Sequence, residues 1–142
     1  MKKGRIVGIG GIFFRSNDPE NTKQWYNDHF NMKTDQWGAP FVSKQFTNPE
    51  KPSFLQWSPF PKDTDYFGNS SQQFMINYRV ENIEELVNEL KKKGITICDE
   101  IAEYDYGKFV HIEDNEGIRV ELWEPIDKVF SDMYDLEKVN KE

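Results

Sequence analysis

The same order of predicted elements occurs twice along the chain, and this internal repeat is the strongest constraint on its fold. Each copy begins with an extended apolar run, over residues 6–16 and then over residues 74–80. A helix follows each run, with Asp18 as the expected N-cap of the first and Asn82 of the second, 64 residues later. The sequence therefore predicts two similar modules that pack together.

Both helices carry start and stop signals. The first is predicted to end at Asn31, which tolerates the left-handed conformation. In the second, Glu85 stands three residues after Asn82, which is the spacing of a capping box, and Gly94 is the expected end.

Further strand candidates follow each helix. The second copy has three of them, at residues 95–101, 108–113 and 118–123, and the first copy has a less regular set around residues 41–46 and 54–57. The order of one strand, one helix and three strands, present twice, predicts an α+β fold. Two tandem βαβββ modules would then form one curled mixed sheet.

These elements predict one domain over residues 1–142. Module one covers about residues 5–60, and residues 59–73 form a connecting loop rich in Pro, Asp, Gly, Asn and Ser. Module two covers about residues 74–125. The tail, residues 126–142, has apolar residues at helical spacing and predicts a short C-terminal helix, on the domain or on a partner subunit.

Charge and cysteine content exclude several classes of function. The net charge of −7 argues against nucleic acid or an anionic membrane surface as a partner. Cys98 is the only cysteine, so an internal disulfide or a thiolate metal cluster is impossible. No apolar run has the length of a secretory signal or a membrane span, and we expect a cytoplasmic protein.

One predicted hairpin determines which residues share a face. A turn at residues 114–117 joins two strands in a register that places His111 opposite Glu121. The other pairs on that face are Glu113 with Arg119 and Phe109 with Trp123. The opposite face is wholly aliphatic, with Val110, Ile112, Val120 and Leu122. A one-residue slip would mix the two faces, which supports this register.

The hairpin at residues 106–125 resembles the closing hairpin of a vicinal-oxygen-chelate module, which has an aspartate-led Gly turn and an apolar-Glu-apolar strand. Trp25 and Tyr26 after Asp18 are similar to the aromatic pair of the family's opening helix. Over roughly residues 5–125 the chain thus resembles the glyoxalase, bleomycin-resistance and dioxygenase superfamily. The segment SPFPKDTDYFG, residues 58–68, is similar to one in a bacterial group of unknown activity.

In metal-dependent members of that family, four inward positions hold a divalent ion that acts as a Lewis acid. The resemblance places these positions on Gly11, Gln56, Met75 and Glu121. Gly11 and Met75 are not ligands for a hard cation, so no metal of the usual geometry is expected. A non-standard site would need His111 beside Glu121 and Gln56, and the cofactor stays undetermined.

The His111–Glu121 pair has two further interpretations. It is either an acid–base pair that carries catalysis or a cross-strand contact that only satisfies two polar groups. Strand alternation predicts a cup around the pair that binds a ligand through Phe13, Arg15, Gln56, Asn77, Arg79 and Trp123. The two arginines either hold an anionic group or pair with Glu113, Glu121 or Glu124.

The resemblance implies a protein that binds a small organic molecule in this cup, as a glyoxalase-like lyase or related enzyme with His111 and Glu121 as catalytic residues. The alternative is a non-catalytic protein that sequesters cationic drugs, like the bleomycin-resistance branch. A module that binds a peptide or protein partner is a third possibility, based on fold analogy alone. The resemblance also implies a homodimer.

Overall fold

The computed structural model describes residues 3–68, 71–134, 136 and 138–141. Each copy of the predicted repeat begins with a strand and a helix, β1 with α1 and β4 with α2, and further strands follow each helix. The strands are β1 (Arg5–Ser16), β2 (Ala39–Lys44), β3 (Pro52–Pro61), β4 (Phe74–Glu81), β5 (Ala102–Tyr104), β6 (Gly107–Glu113), β7 (Arg119–Pro125) and β8 (Asn140–Lys141). The helices are α1 (Pro19–Phe30), α2 (Ile83–Lys92) and α3 (Asp127–Met133).

All the described strands belong to one mixed sheet, in the order β5-β6-β7-β4-β1-β3-β2-β8. The first strands of the two copies, β1 and β4, lie antiparallel at its centre. Each then pairs in parallel with the last strand of its own copy, β1 with β3 and β4 with β7. This confirms the predicted α+β class and curled mixed sheet with a short C-terminal helix.

The limits of α1 are as predicted. Asp18 accepts a hydrogen bond from the main-chain N–H of Asn21 at 3.1 Å, which satisfies one of the free donors of the first turn. Asn31 ends the helix in the left-handed conformation, with φ of 54°.

The predicted capping box of α2 is wrong, although the helix itself is confirmed. Asn82 is left-handed and its side chain donates instead to the main-chain oxygen of Lys3 at 3.1 Å. The cap comes from the sheet, because Glu124 on β7 accepts the N–H of Ile83 at 3.0 Å and places its negative charge at the positive end of the helix. Gly94, with φ of +75°, ends the helical region as predicted.

The strand predicted at residues 95–101 does not form, and the first strand after α2 is instead β5. Within that segment only Ile97 makes a β-bridge, to Ile112. The reason is a side-chain contact: the main-chain N–H of His111 donates to the carboxylate of Asp99 at 2.8 Å instead of to a neighbouring strand.

The first copy has only β2 and β3 after its helix. The edge position beyond β2, which β5 occupies in the second copy, is taken by β8 from the C-terminal tail. The pairing is parallel, with Phe41 opposite Asn140 and Val42 opposite Lys141. The tail therefore completes the sheet of the first module.

The hairpin of β6 and β7 has the predicted register, with His111 opposite Glu121. Its aliphatic face packs under α2, where Leu122 lies against Ile83 and Val87 in the main hydrophobic cluster. Burial of this face directs the opposite, mixed face toward the concave side of the sheet.

The tail helix α3 lies on the domain, against that concave side. Its first residue, Asp127, accepts two hydrogen bonds from Arg79, at 2.7 and 3.0 Å, and one from Gln45 at 2.7 Å. The ring of Phe130 packs on Phe54 and Trp123, with centroids 5.5 and 5.3 Å apart. Among the described residues, no helix is long and apolar enough to cross a bilayer.

We predict that Asp127→Asn lowers the free energy of unfolding by about 2–4 kcal/mol, because it leaves the buried guanidinium of Arg79 without its counter-charge. Urea unfolding measures this. The control is Asp132→Asn in the same helix, which removes only an exposed pair with Lys128 and should cost less than about 0.5 kcal/mol. Equal losses in the two variants would contradict the anchoring role of Asp127.

Candidate active site

A cavity of about 650 Å³ lies between the concave face of the sheet and α3. Aromatic rings make most of its wall. Phe13, Phe54 and Trp123 come from the sheet, and Phe130 and Tyr134 come from α3 and the residue after it. Such a volume suits a molecule of a few fused or linked rings.

Glu121 lies at the floor of this cavity and is the one carboxylate among the described lining residues. Its side chain is 1% exposed, although a carboxylate is rarely buried without partners. The register of β4 and β7 places Asn77 beside it, and the Nδ2 of Asn77 donates to Oε1 at 2.6 Å.

The other carboxylate oxygen, Oε2, has two neighbours. The phenol of Tyr66 donates a hydrogen bond to it. Nε2 of His111 lies 2.9 Å away, at an ion-pair distance but without the alignment of a hydrogen bond. Three different parts of the chain therefore meet at one carboxylate: strand β4, strand β6 and the loop that follows β3.

His111 has a second partner that the sequence analysis did not find. Its Nδ1 lies 2.7 Å from Oδ2 of Asp99, while Oδ1 of Asp99 accepts the main-chain N–H of His111. Burial lowers the pKa of His111, but its close contacts with the negatively charged Glu121 and Asp99 outweigh burial, so the pKa lies above its ordinary value. Asp99, His111 and Glu121 thus form a continuous row.

Tyr66 was not among the predicted site residues, and the structure places it at the centre of the site. Its ring stacks on Phe60 and meets His111 edge-on, with centroids 5.5 and 4.9 Å apart. Burial and the charge of Glu121 raise the pKa of Tyr66, so its phenol stays protonated and remains a donor. The aromatic DTDYFG segment was the one signal for this residue.

Four of the six predicted ligand-binding residues line the cavity, together with one of the two predicted catalytic residues. Phe13, Gln56, Asn77 and Trp123 line the cavity with Glu121, whereas His111 lies behind Glu121 and is buried. The Oδ1 atom of Asn77 is buried and has no hydrogen-bond partner among the described residues.

Two predicted lining residues, Arg15 and Arg79, lie outside the cavity. Arg15 donates to main-chain oxygens of the loop that carries Tyr66: Lys62, Thr64 and Gln72, at 2.8 to 2.9 Å. Arg79 is buried under the ring of Trp123 and pairs with Asp127, which was not among its predicted partners. Both guanidinium groups therefore stabilise the walls of the cavity. The prediction from strand alternation that Arg15 and Arg79 line the cavity is wrong.

The residues present do not fit a metal ion of the geometry that the resemblance implies. Gly11 has no side chain, and Met75 packs with Phe13 instead of lying beside Glu121. Both oxygens of Glu121 already accept hydrogen bonds, Oε1 from Asn77 and Oε2 from Tyr66, and His111 lies against Oε2. No cluster of three or more His, Cys, Asp or Glu able to hold an ion occurs in the described part of the chain.

The profile of the Glyoxalase/Bleomycin resistance protein/Dioxygenase superfamily matches residues 8–122, and the chain belongs to this superfamily. No match to a curated protein was found.

Several solved structures share the fold at low sequence identity. Methylmalonyl-CoA epimerase of Streptomyces coelicolor, solved with 2-nitronate-propionyl-CoA, has a TM-score of 0.63 and 13% identity, and the match covers 86% of this chain and 99% of that chain. The epimerase of Mycobacterium tuberculosis has a TM-score of 0.59, 15% identity and coverages of 89% and 93%. A hypothetical protein of Bacillus halodurans C-125 has a TM-score of 0.55, 12% identity and coverages of 87% and 95%.

We predict that Tyr66→Phe lowers the free energy of unfolding by about 1.5–3 kcal/mol, because a buried carboxylate loses a donor. Chemical denaturation measures the loss. Tyr104→Phe, at a half-exposed ring on the same cavity, is the matched control and should change stability by less than about 0.5 kcal/mol. A Tyr66→Phe protein as stable as the control would show that the phenol does not hold Glu121.

Proposed function

We propose that this protein binds a small organic molecule with an aromatic or apolar body in the cavity and transfers a proton of that molecule with Glu121, assisted by His111. One observation carries the proposal: Glu121, the one carboxylate among the described lining residues, is buried with a donor on each oxygen at the floor of a cavity whose walls are aromatic.

The walls support an aromatic or apolar ligand. Rings such as Phe54, Trp123 and Phe130 offer faces and edges for stacking, and they exclude water from the carboxylate. No Lys or Arg is among the described lining residues, so nothing in the wall offers a counter-charge to an anionic group. The proposed ligand is therefore neutral or cationic.

The donors around Glu121 support a role in proton transfer. Asn77, Tyr66 and His111 fix the carboxylate in one orientation. A group that removes a specific proton has to be oriented in this way. A proton leaves a carbon of the ligand next to a carbonyl group and binds to Glu121, while its electron pair moves onto the carbonyl oxygen. Return of the proton isomerises the ligand, and loss of a neighbouring leaving group gives the lyase reaction.

The test follows α-proton exchange by NMR in D₂O with a panel of neutral aryl alkyl ketones and arylacetaldehydes. We predict that the wild type exchanges the α-protons of a bound member and that Glu121→Gln slows this exchange at least about 100-fold. Glu116→Gln, in the exposed turn between β6 and β7, is the control and should leave the rate unchanged. Equal rates for wild type and Glu121→Gln would contradict the proposal.

Sequestration without catalysis is the second candidate, and one observation favours it. A carboxylate enclosed by aromatic rings suits a cationic ligand, which gains both a counter-ion and cation–π contacts. Tryptophan fluorescence with cationic arylalkylamines separates the two candidates, because Trp123 lines the cavity. Tight amine binding that Glu121→Gln abolishes, without exchange on any ketone or aldehyde, would support this candidate against the first.

We further propose a cytoplasmic homodimer, on the family resemblance. Its support in the structure is an exposed apolar strip at the centre of the sheet, where Ile12 on β1 lies opposite Ile76 on β4 beside Phe74. Light scattering should give twice the chain mass of 16.8 kDa. A particle of one chain mass at micromolar concentration would contradict the dimer.

A further inference from the structure

We infer that Asp99, His111 and Glu121 form a proton path from the protein surface to the floor of the cavity, with Asp99 as its outlet. This inference rests on the proposed function, in which Glu121 takes up and returns a ligand proton. It assigns a role to Asp99, a residue that does not line the cavity.

Exposure falls along the row in the order that such a path requires. The side chain of Asp99 is 43% exposed, that of His111 is 8% exposed and that of Glu121 is 1% exposed. The two gaps are short: 2.7 Å from Oδ2 of Asp99 to Nδ1 of His111, and 2.9 Å from Nε2 to Oε2 of Glu121. The imidazole ring thus connects a solvated carboxylate to a dry one.

The position of Asp99 is set by the main chain as well as by the ring. Its Oδ1 accepts the N–H of His111, and the N–H of Cys98 donates to the main-chain oxygen of His111 at 2.8 Å. These contacts hold Oδ2 against Nδ1 and favour the tautomer with a proton on Nδ1. In that tautomer Nε2 is free to accept a proton from Glu121.

The transfer balances without any co-reactant. A proton on Glu121 passes to Nε2, the proton on Nδ1 passes to Asp99, and Asp99 releases it to water. The reverse passage brings a solvent proton to Glu121 and restores the proton on Nδ1. Only N–H and O–H bonds form and break. A bound ligand fills the cavity and keeps water from Glu121 on that side. Proton exchange between Glu121 and solvent therefore has to occur on the side of His111.

Tyr66, the other titratable group against the ring of His111, does not compete with Asp99 for the proton. His111 faces Asp99 from the segment before β5, Glu121 from β7 and Tyr66 from the loop after β3. Because the pKa of Tyr66 is raised, its phenol keeps its own proton and donates to Glu121. Asp99 is therefore the acceptor on the solvent side.

The first experiment follows the imidazole protons of His111 by NMR across pH 4 to 10 and needs no ligand. Asp99→Asn should lower the pKa of His111 by about one unit or more, because the cationic ring loses a counter-charge. Glu100→Gln, at the exposed neighbouring residue, should leave this pKa unchanged, and exposed His29 serves as the internal reference. An unchanged pKa of His111 in Asp99→Asn would overturn the contact on which the path depends.

The second experiment measures α-proton exchange of a bound aryl alkyl ketone or arylacetaldehyde in D₂O. Asp99→Asn should slow exchange at saturating ligand about 10-fold or more and leave the ligand dissociation constant unchanged, and added formate should restore the rate at this exposed position. Normal exchange in Asp99→Asn together with lost exchange in Glu121→Gln would overturn the path alone. Absence of exchange in the wild type would instead overturn the proposed function, and the path with it.

Discussion

The burial of the Glu121 carboxylate is the interaction on which the rest of the concave face depends. A buried charge is tolerated only when donors surround it, and the two donors here, Asn77 and Tyr66, come from parts of the chain that are distant in sequence from Glu121. Asn77 links the two central strands to the second hairpin, and Tyr66 draws the connecting loop over the cavity. Loss of either contact would leave an unsatisfied charge in the core and would open the site at the same time.

Space at the centre of the sheet is as important as charge. A Cβ atom at Gly10 would lie 2.4 Å from Oδ1 of Asn77 and 2.7 Å from the ring of Trp123. These distances are far below van der Waals contact, so a side chain at this position would displace the amide that holds Glu121. The glycine-rich centre of β1 therefore allows the polar floor and the aromatic wall to meet.

Much of this site follows from local sequence, and the remainder depends on the path of the loops. The turn after β6 determines the register, so the meeting of His111 and Glu121 was predictable from a few neighbouring residues. Tyr66 reaches Glu121 across 55 residues of sequence, through a loop without periodicity. Asp99 was hidden for another reason, because its segment reads as a strand by composition and is held instead by a side-chain contact. Charge pairing of Arg79 was foreseen, but its partner on α3 was not.

The edge strand contributed by the tail also determines when the first module can be completed. Asn140 of this strand faces Phe41 of β2 and is synthesised almost 100 residues after it. During translation the chain folds from the N-terminus onward. The outer edge of β2 therefore keeps unpaired main-chain groups while the second module emerges and folds. Edges of this kind can pair with other chains. Until the tail docks, the part of β2 that later pairs with Asn140 and Lys141 is therefore open to such pairing.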